Sequence, residues 1–204
     1  MSVPLVHSVD RASLTLRPPA IAAARHLSDL DGVFADEPAR ASLLAACDPL
    51  VYTVESVEHQ VGAGALSYGL GVVQPGRVGD EYFMTKGHAH ARRDAAEVYV
   101  GIAGRGLMVL EDLLDGNCWT LALERDGVVV VPGNVAHRTV NVGDEPLAYL
   151  GIYPSDAGHD YSVIAATNFG LVIVAGPTGP VVVERAALAG RTSAPGSQCE
   201  GSDT

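Results

Sequence analysis

From Leu50 to Glu184 the chain runs in short apolar stretches, each closed within a few residues by glycine, proline or aspartate. Leu50–Val57, Leu66–Val73, Glu81–Thr85, Val98–Ile102, Gly106–Leu110, Cys118–Leu123, Val128–Val131, Arg138–Asn141, Leu147–Tyr153, Leu171–Val174 and Val181–Glu184 each have the length of a strand. Pro75-Gly76, Gly104, Asp115-Gly116, Asp126-Gly127, Gly143-Asp144 and Gly176-Pro177 supply the turns between them. Many short strands at this spacing imply a sandwich or a closed barrel. The chain is expected to be all-β.

Before Leu50 the pattern differs. Ala20 to Cys47 carries the chain's best helical signals, with Pro38 opening a short helix in its first turn and Asp48-Pro49 ending it. Residues 1–49 are therefore expected to form an N-terminal arm and short helix packed on a barrel of residues 50–189. The small, polar residues 190–204 read as a disordered tail. With 48% hydrophobic and only 18% charged residues, the 204-residue chain can bury one full core.

Composition also excludes some functions. A net charge of −11 without a Lys/Arg cluster argues against nucleic-acid binding, which rests on neutralising phosphates. A small anion needs only local positive charge and stays possible. No apolar stretch approaches a membrane span, and no leader pattern opens the chain, so a cytoplasmic protein away from membranes is expected. Cys47, Cys118 and Cys199 are scattered and odd in number, and read as idle thiols in a reducing compartment.

The segment richest in chemistry is Lys86-Gly87-His88-Ala89-His90. Residues two apart on a strand share a face, so His88 and His90 can aim both imidazoles at one point inside a barrel. After the polar loop ARRDAA, the strand beginning at Glu97 can return with that carboxylate facing inward. His137 follows a strongly apolar strand, five residues beyond Pro132 and four before Asn141. Two nearby histidines alone would read as an accident of a turn. The addition of Glu97, Gly104, Pro132, His137 and Asn141 at regular gaps makes a metal site the better reading. His88, His90, Glu97 and His137 form a mixed N/O set for one divalent ion, with iron(II) expected first and manganese, nickel, cobalt or zinc compatible. Four protein ligands on an ion that prefers six leave two positions open, as a catalytic site requires.

The HxH–Glu and Pro–His–Asn motifs resemble the cupin signature, which implies a double-stranded β-helix (jelly-roll barrel) with a short N-terminal helical segment. Four blocks narrow the resemblance to the cupin-type glucose-6-phosphate isomerases. They are Val78 to His88, Ala96-Glu97-Val98-Tyr99, Ala136 to Asn141, and Ile152 to Tyr161. The similarity runs from about Arg25 to Glu184. It implies a homodimeric, metal-dependent enzyme that interconverts glucose 6-phosphate and fructose 6-phosphate, with the metal ligands as above. Substrate contacts are carried over to Tyr52, Thr85, Gly87, Tyr99, Tyr153, His159 and Tyr161. Two departures stand out. Gly71 replaces a threonine of the family's phosphate pocket, and Pro132-Gly133-Asn134-Val135-Ala136 replaces an aromatic-bearing run. The first predicts a missing hydroxyl donor, weaker affinity, and a lower KM on Gly71→Thr.

Aldose–ketose isomerisation moves one hydrogen between C1 and C2. Glu97 is the expected base if that hydrogen travels as a proton, and a direct hydride shift is the other route. Tyr99 lies on the same strand face as Glu97, and Tyr153 and His159 flank the turn at 154–158, where a histidine can shuttle protons. Thr85, Gly87, Tyr52 and Tyr161 are expected at the phosphate. Lys86 and Arg138 are nearby cations, while Arg92 and Arg93 read as solvated loop charges. A cupin dioxygenase with the same ligands, and a non-catalytic sugar-phosphate-binding cupin, are the rival readings.

Overall fold

The computed structural model describes residues 4–165 and 167–188, so the tail expected over 190–204 lies outside the described residues. The strands are β1 (Ser8–Asp10), β2 (Thr15–Arg17), β3 (Ile21–His26), β4 (Leu50–Glu58), β5 (Leu66–Val73), β6 (Arg77–Val78), β7 (Glu81–Tyr82), β8 (Ala89–His90), β9 (Glu97–Ala103), β10 (Arg105–Asp112), β11 (Cys118–Glu124), β12 (Val128–Val131), β13 (Val135–Asn141), β14 (Leu147–Pro154), β15 (His159–Asp160), β16 (Leu171–Gly176) and β17 (Gly179–Glu184). The described residues include two α-helices, α1 (Glu37–Ala46) and the single turn α2 (Ser162–Ala165). None among the described residues is long and apolar enough to cross a membrane.

One antiparallel sheet runs β12-β9-β14-β5-β4-β3, and a second runs β11-β10-β13. Beyond β13 the second ladder continues irregularly, where Met84 bridges Val140 and His88 bridges His137. The chain then enters β8, which pairs with β15. A single buried cluster joins the two sheets. Val51, Val73, Tyr99 and Val129 come from the first, and Met108, Leu110, Leu123 and Val140 from the second. Each such side chain contributes about 1.5–3 kcal/mol on leaving water, which holds the sheets closed on one another. This is the all-β cupin barrel. At the β9–β10 turn Gly104 has φ +74°, and a Cβ there would meet Pro146 O at 2.4 Å, so only glycine fits.

The N-terminal region departs from its reading in two ways. α1 forms as expected, with Asp36 accepting the Ala39 N–H at 2.9 Å and proline in the first turn. Ile21–His26, however, is strand rather than helix. It pairs with β4 from Ile21↔Ser56 to His26↔Leu50, so the residues before Leu50 supply an edge strand to the large sheet. The alanines of this segment favour helix in isolation, and the unpaired edge of β4 overrides that preference. Of the cysteines expected as idle thiols, Cys118 is free, and Cys199 lies outside the described residues.

Candidate active site

Four side chains from three parts of the barrel converge at its mouth. His88 is tied to His137 by reciprocal backbone bonds, His88 N–H to His137 O at 3.1 Å and His137 N–H to His88 O at 2.9 Å. His90 closes β8, and Glu97 opens β9 opposite Val131. The ligand atoms of His88, His90, Glu97 and His137 all lie within 4.8 Å of one another. Glu97 Oε2 stands 3.0 Å from His137 Nε2, 3.3 Å from His90 Nε2 and 3.9 Å from His88 Nε2. His90 Nδ1–H donates to Ala95 O at 2.9 Å and His137 Nδ1–H to Val135 O at 3.2 Å. These bonds fix both rings and turn their Nε2 atoms to the common centre.

The set fits a divalent cation. The Nε2 atoms of His88 and His90 are buried and have no hydrogen-bond partner among the described residues. Burial, reinforced by His137 and His159, holds His88 well below its ordinary pKa, so it stays a neutral imidazole. Burial pushes Glu97 up, but the close His137 and His90 rings outweigh that and hold it far below the usual carboxylate range. Neutral imidazoles and an ionised carboxylate are the forms in which these residues bind metal.

A cavity of 420 Å³ opens over this cluster and is lined by all of the sequence-predicted contacts: Tyr52, Thr85, Gly87, Tyr99, Tyr153, His159 and Tyr161. The His159 ring lies 4.4 Å from that of His88 and 5.5 Å from that of Tyr153, with Tyr161 stacked on its outer face. Partial burial lowers the His159 pKa. Tyr99 is buried beside Glu97, and burial, reinforced by that carboxylate, raises its phenol well above the ordinary range. Glu97 Oε1 points away from the histidines towards β14, where a Cβ on Gly151 would meet it at 2.6 Å.

Arg92 and Arg93 are not free loop charges. Arg93 reaches across to Asp160 at 2.5 Å and donates to His90 O at 2.8 Å, which latches β15 onto β8 and seats His159 by the cluster. Arg92 pairs with Asp94 and Asp156. The divergent run at 132–136 supports the same loop. A Cβ on Gly133 would meet Arg93 O at 2.7 Å, and Asn134 N–H donates to Arg93 O. Sequence alone carries no signal for this role of Arg93, because its partners lie on a different loop.

The family description for glucose-6-phosphate isomerase (GPI) matches residues 24–187. The chain belongs to the glucose-6-phosphate isomerase family. The glucose-6-phosphate isomerase of Pyrococcus furiosus is 47% identical over 150 residues, covering 74% of this chain and 79% of that protein. That of Thermococcus litoralis is 43% identical over 160 residues, covering 78% and 83%. Among solved structures, oxalate decarboxylase of Bacillus subtilis superposes with a TM-score of 0.42 at 25% identity, over 52% of this chain and 26% of that one.

In this member of the glucose-6-phosphate isomerase family the far end of the cavity gathers polar and positively charged groups. Thr85 Oγ1 accepts the Thr139 N–H at 3.1 Å, leaving its own hydrogen free to donate. Gly87 adopts φ +78° in a cradle formed by Phe169, Arg138 and His137. Arg138 lies buried beneath, donating to Lys86 O at 2.7 Å, with its guanidinium over Phe169 at 4.3 Å. Burial, with Arg185 nearby, lowers its pKa to about 9, so it remains a cation under the Thr85–Gly87 loop at neutral pH. Gly71 departs from expectation. A Cβ there would meet Tyr149 Cζ at 2.4 Å, so the space is filled and Gly71→Thr as a single change would clash rather than lower KM. Nothing in the sequence singles out Tyr149, whose place is set by the strand opposite.

Proposed function

We propose that this chain interconverts glucose 6-phosphate and fructose 6-phosphate, with a divalent ion held by His88, His90, Glu97 and His137. The convergence of these four ligands on one centre carries the reading. Together with family membership it favours an isomerase over a dioxygenase or a non-catalytic binding protein. Iron(II) is the ion we infer, on the donor chemistry of three imidazoles and one carboxylate. When bound, it would supply Lewis acidity towards the two oxygens between which the carbonyl moves.

The chain's own residues divide the remaining work. Thr85, the backbone at Gly87 and the phenols of Tyr52 and Tyr161 bind the phosphate, over the positive charge of Arg138 and Lys86. Tyr153 and Tyr99 hold the open-chain sugar between that end and the cluster. Glu97 Oε1, turned from the histidines, takes the proton from C2 and returns it to C1. His159 exchanges protons with the sugar hydroxyls, for which its lowered pKa keeps a neutral, accepting form available. We further infer a homodimer. β11 and β12 end their sheets and expose Trp119, Leu121, Val128 and Val130, an apolar edge that a second copy would cover.

The test compares metal-loaded and chelator-stripped protein for conversion of fructose 6-phosphate to glucose 6-phosphate. Turnover should be lost on stripping and return with iron(II). Equal rates in both samples, or no turnover in either, would overturn the proposal.

A further inference from the structure

Tyr149 stands directly across the β5–β14 ladder from Gly71. Its ring lies over the glycine, with the hydroxyl oxygen 2.6 Å from where a Cβ of residue 71 would be. On the other side of β14 the register with β9 shifts between Ala148 and Tyr149. An irregularity of this kind re-aims one side chain, and here it places the phenol among the residues that line the cavity. The ring is 7% exposed, and it packs 5.2 Å from that of Tyr99. Burial raises the phenol well above its ordinary pKa, so it remains a neutral donor.

Its polar surroundings indicate what it faces. The hydroxyl is close enough to the Thr139 side chain and to Tyr52 for both to be felt electrostatically. A phenol has one hydrogen to give and two lone pairs to receive, so Thr139 can donate to it and leave its own hydrogen for a ligand. Thr139 in turn binds Thr85 through its N–H, and Tyr52 lines the cavity together with Thr85 and Lys86. Tyr149 thus reaches the Thr85–Gly87 end of the cavity, where Arg138 supplies positive charge.

We propose that the Tyr149 hydroxyl binds the phosphate of the sugar phosphate, supplying from β14 the donor that Gly71 cannot supply from β5. The assignment rests on the isomerase reading above. It makes residues 71 and 149 one functional unit, with a hydroxyl deliverable from either strand but not from both at once.

Kinetics with fructose 6-phosphate on the metal-loaded, full-length chain tests it. Tyr149→Phe should raise KM about tenfold, as for one lost hydrogen bond to a charged group, and change kcat less than about twofold. Inhibition by inorganic phosphate should weaken by a similar factor, which a purely structural tyrosine would not cause. A strand swap gives the second arm. Tyr149→Leu should raise KM as well, and adding Gly71→Thr to it should recover most of the loss, because the vacated ring leaves room for the threonine. Unchanged KM and phosphate inhibition in Tyr149→Phe would overturn the assignment, as would a folded double variant no better than Tyr149→Leu. No turnover by the unmodified, metal-loaded chain would instead overturn the isomerase reading itself.

Discussion

Replacing Gly87 with alanine should injure stability and chemistry together. At φ +78° an alanine pays for a left-handed backbone, at about 1–2 kcal/mol. Its Cβ would also meet Phe169 Cε2 at 2.6 Å, Arg138 Cβ at 3.0 Å and His137 O at 3.1 Å. None of these neighbours is free to retreat. Phe169 is fully buried under the Arg138 guanidinium, and His137 O is bonded to the His88 N–H. Such crowding adds about 1–3 kcal/mol, for a total of about 2–5 kcal/mol. Because the strain falls on the residue before His88, kcat/KM should drop about a hundredfold, as a misplacement of about 1 Å can cause. Gly104→Ala is the matched control, with φ +74° and a Cβ 2.4 Å from Pro146 O at a turn that does not line the cavity. Denaturant unfolding should show comparable losses in the two variants, and steady-state kinetics should separate them. Wild-type stability in Gly87→Ala, or kinetics matching those of Gly104→Ala, would refute the reasoning.

Arg93→Ala should release β15 and lower kcat about tenfold through a misplaced His159. Arg93 is 39% exposed, so stability should fall by less than about 1 kcal/mol, and metal content by mass spectrometry should not change. Glu81 gives a pH test away from the cluster. Burial raises its carboxyl above the ordinary 4.5, so its contribution to stability is fully present below that value and is lost as pH rises through the folded-state pKa. The stability of wild type minus that of Glu81→Gln should therefore decline with rising pH, and urea titrations showing a rise would contradict the burial argument. Sedimentation should give a dimer at micromolar concentration, and paired charges at Trp119 and Val130 should produce monomers. A wild-type monomer would sink that assembly.

How much of this the sequence discloses follows from the range over which each feature is encoded. The long strands are legible because their own turn residues bracket them. Val128–Val131, for example, lies between Asp126-Gly127 and Pro132-Gly133 and forms β12 at the same bounds. Strands of two residues, such as β8 and β15, carry no period to read, and the alanines of β3 disguise it until β4 is there to pair with. The metal ligands are legible because two of them share one short segment and the others open or occupy regular strands.

Features held between distant segments are not legible. Arg93 becomes a latch only when Asp160 is folded beside it, and its neighbours in sequence mark it as an ordinary surface charge. Gly71 shows the same effect in sharper form. Read along β5 alone it is a lost hydroxyl, and the expected repair is a threonine. Read across the ladder to β14 it is the clearance that lets Tyr149 lie over it in the cavity, so the same repair becomes a clash. The meaning of a pocket position in a sheet is thus set by its cross-strand partner, because Cβ atoms opposite one another are only about 4.5–5.5 Å apart and cannot both carry bulk into the same space. Substrate affinity in this barrel should accordingly follow the pair of residues at 71 and 149, and neither one taken singly.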